Sequence, residues 1–155
     1  MRNFQILLTL SFFLLLFSCS KDTEGEQSED ISGTYELSMA RDECPDSANN
    51  GSVNATSDGV CINLTNGSEC YEMTLKLNSD NTYTFAQITT FTNGGIMNST
   101  NASEAGNYTV NETRVTTTDL GGVVTIYSMD NTGDHLDWTA ATTDVGCERI
   151  FRFSK

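Results

Sequence analysis

From Gly33 onward, apolar residues fall on alternate positions in short runs: Tyr35, Leu37 and Met39; Tyr71, Met73, Leu75 and Leu77; Tyr83 and Phe85; Leu136, Trp138 and Ala140. A period of two places alternate side chains on one face of a strand, so each run predicts a strand with a buried side. Helical periodicity is absent. The segments rich in Thr, Val, Tyr, Phe and Ile predict eight strands, at 34–41, 71–77, 82–90, 106–110, 113–119, 123–129, 135–140 and 148–153. The connectors Asn78-Ser79-Asp80-Asn81, Asn111-Glu112, Leu120-Gly121-Gly122 and Asn131-Thr132-Gly133 supply residues that tolerate the positive φ of tight turns. Two stretches lack alternation. Residues 42–69 and 92–103 are dominated by Asn, Ser, Thr and Gly and read as loops, the segments in which recognition usually resides.

Eight short strands joined mostly by tight turns predict an all-β, antiparallel up-and-down barrel, because closure removes the exposed edges of a meander. Closure sets the first strand beside the last. Cys44, after the first strand, then neighbours Cys147, before the last, and Cys61 pairs with Cys70 inside the 42–69 insertion. A sandwich would pair the cysteines differently. The predicted inward set is Tyr35, Leu37, Met39, Tyr71, Met73, Phe85, Tyr108, Trp138, Arg149, Phe151 and Phe153. Side chains of this size fill an eight-stranded barrel or line a cavity within it, and both outcomes are open at this stage.

Ahead of the domain, residues 1–18 have a basic start and an apolar run from Phe4 to Phe17, shorter than a bilayer-spanning helix. With Leu16-Phe17-Ser18-Cys19 at its end, the segment resembles a bacterial lipoprotein signal peptide. That resemblance implies cleavage before Cys19, whose sulfur would carry a diacylglycerol and anchor the chain without a transmembrane segment. Residues 19–32 follow as the lipidated cysteine and an acidic, aromatic-free tether. The Lys21-Asp22-Thr23-Glu24 stretch is similar to export signals of surface-displayed lipoproteins in Bacteroidetes-type bacteria. The expected location is therefore the outer membrane, surface-exposed rather than facing the periplasm.

Residues 33–155 suffice for one hydrophobic core, hence one domain. The formal net charge is −13, and loss of Arg2 with the leader makes it one unit more negative. Such a surface cannot neutralise phosphates, which excludes nucleic acid as a partner class. In an exported chain the four cysteines beyond Cys19 read as two disulfides. A zinc site would need close Cys pairs, and His135 is the only histidine.

Several segments together resemble the lipocalin-like lipoproteins of Bacteroidetes-type bacteria. They are Gly33-Thr34-Tyr35-Glu36-Leu37, standing where that family commonly has Gly-x-Trp; the hairpin Leu75 to Phe85; Gly106-Asn107-Tyr108-Thr109-Val110; and Cys147-Glu148-Arg149-Ile150-Phe151-Arg152-Phe153. The resemblance implies a calycin-like barrel, a small apolar ligand, and an arginine of the last strand packed across the first-strand aromatic. Arg149 is the candidate by parity with Phe151 and Phe153, and Arg152 is its competitor. The alternative function is a packed barrel whose 42–69 and 92–103 segments bind a protein or glycan.

Catalytic chemistry finds no foothold in the motifs: His135 has no recognisable nucleophile partner, and Gly94-Gly95 and Gly121-Gly122 fit turns rather than phosphate loops. The chain is read as a binding protein rather than an enzyme, with no cofactor and no resident metal. The oxygen-rich run 130–134 lacks the spacing of an EF-hand loop. Asp46-Ser47-Ala48 resembles a short O-glycosylation acceptor of the same bacteria.

Overall fold

The computed structural model describes residues 30–45, 51–57, 59–64, 67–142 and 146–155. The expected leader, Cys19, the expected tether up to residue 29 and the Asp46-Ser47-Ala48 triplet lie outside the described residues. The described residues form ten strands and no helix: β1 (Gly33–Glu43), β2 (Gly51–Asn54), β3 (Val60–Leu64), β4 (Gly67–Leu77), β5 (Thr82–Asn93), β6 (Ile96–Asn111), β7 (Arg114–Asp119), β8 (Val124–Met129), β9 (His135–Ala141) and β10 (Glu148–Ser154). Eight of these, β1 and β4 to β10, close an antiparallel barrel, as the meander pattern predicts.

Closure runs through β1. Its residues from Glu36 to Glu43 pair with β10, and Gly33 to Glu36 pair with Thr74 to Leu77 of β4. Above that point β1 and β4 part. Met39 to Asp42 pair instead with β2, and Gly67 to Tyr71 of β4 pair with β3, so the inserted strands satisfy the backbone edges that the diverging seam exposes. The disulfide Cys44–Cys147 continues the β1–β10 ladder one residue past the Glu43–Glu148 pair, and Cys61–Cys70 joins two directly opposed residues of β3 and β4. Both pairings are those expected from closure.

The core takes Tyr35, Leu37, Ala40, Val60, Tyr71, Met73, Leu75, Leu77, Tyr83, Phe85, Tyr108, Val115, Tyr127, Leu136, Phe151 and Phe153. Met39, expected among them, is half-buried and outside the cluster. The cause is a β-bulge: Leu37 stands opposite Phe153 and Met39 opposite Arg152, which inserts one residue into β1. Parity reverses there, and Ala40 faces inward opposite Phe151. Ile31 is also buried in the core, so the packed domain takes in residues that the sequence pattern placed in the tether.

The two stretches read as loops are largely strand. Segment 42–69 contains β2, β3 and the start of β4, while 92–103 holds the end of β5, a turn and the first half of β6. Gly94 and Gly95 have φ of 57° and 83°, the two positive values that a two-residue type I′ hairpin demands. The resulting ribbon is twelve residue pairs long, from Thr82–Asn107 to Asn93–Ile96, whereas β7 covers β6 only from Gly106 to Asn111. Gly106 marks the departure point, where a Cβ would overlap the Thr118 carbonyl oxygen. Residues 96–105 of β6 are exposed on both faces, so the ribbon carries no alternation to betray it.

Candidate functional site

Three parts of the barrel bear on function: its interior, its mouth at the Glu43 end of β1, and the ribbon standing beyond that mouth. The interior is crossed by touching rings. Tyr71 meets Phe151 edge-on at 5.0 Å between centroids, Phe151 stacks on Trp138 at 5.5 Å, and Trp138 meets Phe85 at 6.4 Å. Phe85 also meets Phe153 at 6.4 Å, and Phe153 meets Tyr127 at 6.0 Å. Such edge-to-face geometries are the favoured ones for aromatic pairs. Strands β5 and β9 stand four places apart either way round the barrel, so the Phe85–Trp138 contact spans its full width.

Tyr35, Leu37, Tyr71, Met73, Phe85, Tyr108 and Phe151 all take the inward positions expected of them, and Trp138 packs partly buried against the same cluster. Arg149 also points inward, but away from the first-strand aromatic. Its Nε and Nη2 donate to the two carboxylate oxygens of Asp42 at 2.7 and 3.0 Å, and Nη1 lies 3.4 Å from the Tyr71 hydroxyl. The bidentate pair raises the guanidinium pKa against the opposing effect of burial. Asp42 stands opposite Arg149 in the β1–β10 ladder, so this is a seam clamp whose positive charge is already neutralised, not a free anion site. Asp42 was not foreseen as its partner because the bulge sets that register.

The cation over the first-strand aromatic is Lys155, with Nζ 5.3 Å from the Tyr35 ring centroid. This overturns both arginine candidates. Arg152 lies on the outer wall, donating to Asp137 at 2.8 and 2.7 Å. Tyr35 itself is fully buried, its hydroxyl 2.8 Å from the carbonyl oxygens of Ile31 and Gly133. One proton serves both acceptors and ties the incoming chain to the β8–β9 turn. Burial, reinforced by Asp134, pushes the Tyr35 phenol far above its ordinary value. For Tyr71, burial and Glu69 push it up to about 12. Burial raises Tyr83, Tyr108 and Tyr127 as well.

Polar groups of the connectors are consumed locally. Asp130 accepts from the backbone N–H groups of Asp134 and His135 and from the Thr132 hydroxyl, which is turn chemistry. His135 is exposed with Nδ1 2.9 Å from Ser154 Oγ. Among the described residues, no three His, Cys, Asp or Glu side chains converge in a metal-binding group. On the outer wall, Thr34, Glu36, Leu37, Ser38, Ala55, Ser154 and Lys155 line an open groove of about 500 Å³ around the bulge.

Among the described residues, the ribbon and the adjoining β7–β8 turn hold the large apolar side chains left in solvent: Ile88, Phe91, Ile96 and Met97 on the former, Leu120, Val123, Val124 and Ile126 on or beside the latter. Sequence reading missed these exposed side chains. The Gly94-Gly95 pair between Thr-, Phe- and Ile-bearing flanks was the available sign of a hairpin. No family model, no curated protein and no solved structure matches the chain.

Proposed function

We propose that the chain is a lipocalin-like lipoprotein, anchored through Cys19 to the outer membrane and displayed on the cell surface, whose barrel is a filled scaffold for recognition. The partner is a protein or glycan, and the β5–β6 ribbon is the element that meets it. The observation that carries this reading is the Phe85–Trp138 contact across the barrel's width, backed by Phe151 and Phe153, which occupies the level where a carried apolar molecule would sit. Chain direction adds support. Gly33 enters at the end opposite the ribbon tip, so an N-terminal anchor leaves Gly94 and Gly95 pointing away from the membrane.

Trp138 is the sole tryptophan, so its fluorescence reports on the interior alone. N-phenylnaphthylamine, an apolar probe, is expected to leave wild-type emission unchanged and to quench it once Phe85→Ala opens space. Saturable quenching of the wild type would replace the scaffold with a ligand carrier. The ribbon is tested by replacing residues 90–99 with Asn-Gly and measuring retention on immobilised outer-membrane proteins and polysaccharides of the producing cell. Retention of wild type but not of the shortened chain is expected; equal retention removes the ribbon from the function. Protease digestion of intact cells, beside a Cys19→Ala variant, tests display and anchoring.

A further inference from the structure

The ribbon has one paired edge and one open one. β5 holds the first edge of β6 from Ile96 to Asn107, but from Ala105 to the tip the second edge has no strand partner among the described residues. The last bond on that side is donated by the Leu120 N–H to the Ala105 carbonyl, at 3.2 Å. This sets the phase of the ladder. Since antiparallel strands direct alternate residues to alternate sides, Met97, Ser99, Asn101 and Ser103 turn their N–H and C=O groups outward. An edge of this length is usually blunted by lysine, proline or a bulge. Here β6 has no bulge against β5, no lysine and no proline, and its one charged residue, Glu104, lies at the foot of the open stretch.

We infer that the open edge of β6 pairs with the same edge of a second copy of this chain, antiparallel and about a two-fold axis through Thr100. The inference rests on the ribbon being the recognition element and names its partner. Two observations select a second copy. First, the chain carries a net charge of −13, yet Met97 to Ser103 carries none, so this is a surface on which two copies meet without facing carboxylates. Second, the edge has apolar groups at both ends. Ile96 and Met97, 67% and 70% exposed, mark the tip; Leu120 and Val123, 90% and 62% exposed, sit at the foot beside Ala105.

A two-fold operation exchanges those ends. With Thr100 facing Thr100 of the other copy, Met97 stands opposite Ser103 and Ser99 opposite Asn101, each twice. The ladder then forms about eight backbone hydrogen bonds. The tip of each copy arrives at the Leu120–Val123 turn of the other, so both apolar ends are covered by one self-complementary contact. The two β3–β4–β5–β6 sheets become one continuous sheet. Antiparallel pairing also sends the two Gly33 ends away from each other.

Thr100→Cys in the full chain tests the axis, because directly opposed, non-hydrogen-bonded residues lie at disulfide distance. Mild oxidation is expected to convert most Thr100→Cys chains to covalent dimers, while Ser128→Cys, exposed on the outer face of β8, gives at least tenfold less. Adding Asn101→Pro removes an outward N–H without touching the β5 ladder and abolishes cross-linking. Leu120→Glu, at the foot of the edge and outside the 97–103 pairs, weakens sedimentation-equilibrium dimerisation at least tenfold and covers the case in which the proline variant fails to fold. Equal cross-linking at positions 100 and 128, or a monomer at 100 µM, overturns the pairing. A monomer that still loses outer-membrane retention when residues 90–99 are shortened overturns the pairing alone. Retention unchanged by that shortening overturns the ribbon reading beneath it.

Discussion

Breaking the seam disulfide tests the closure of the barrel most directly, because the two native bridges close loops of very different length. Cys44 and Cys147 are 103 positions apart, and Cys61 and Cys70 only 9. In the chain-entropy account, a loop of about a hundred residues stabilises the fold by about 4.7 kcal/mol, and a loop of about ten residues by about 2.7 kcal/mol. All four cysteines are half-buried, so replacement by alanine removes similar packing from each pair. With a urea dependence of about 1.5 kcal/mol per molar, Cys44→Ala with Cys147→Ala lowers the unfolding midpoint by about 3 M, and Cys61→Ala with Cys70→Ala by about 2 M. Against a domain stability of about 5–15 kcal/mol, the first loss is a large fraction of the whole. Urea unfolding followed by far-ultraviolet dichroism and Trp138 emission reads both midpoints. Equal shifts, or a larger one for the short loop, would refute the assignment of the seam bridge as the principal constraint.

Three other outcomes follow from the packing. All five tyrosines are buried with raised phenol pKa values, so native absorbance at 295 nm shows each phenol less than half ionised at pH 10; stability is full below the unfolded pKa and is lost as pH rises through the folded values. A phenol titrating near 10 in the folded protein contradicts that burial. Met39→Ala costs under about 1 kcal/mol, whereas Ala40→Met costs about 1–3 kcal/mol through overpacking, and a larger loss at position 39 than at 40 in urea would show that the bulge does not reverse parity. A double-mutant cycle of Asp42→Asn and Arg149→Met yields a coupling of about 1–2 kcal/mol for the bidentate seam pair, and zero coupling by urea unfolding would reduce it to an incidental contact.

What could be read in the letters was whatever the chain encodes locally. Tyr35 and Leu37, the Tyr71 to Leu77 alternation and the Asn-, Asp- and Gly-bearing turns each specify a strand face or a reversal within a few residues. Eight such strands closing on one another then determined both cysteine pairs. Position relative to distant partners was not legible in the same way. Whether Met39 or Ala40 faces inward depends on one residue inserted against β10, and the cation over Tyr35 is Lys155 because the last strand ends beside the first. The ribbon escaped notice because a strand wet on both faces needs no hydrophobic period, and only its pairing with β5 holds it extended. Alternation thus records which face meets a core. The contact of Phe85 with Trp138 across the barrel, and the edge of β6 left without a strand partner among the described residues, arise only once strands far apart in sequence have taken their places around it.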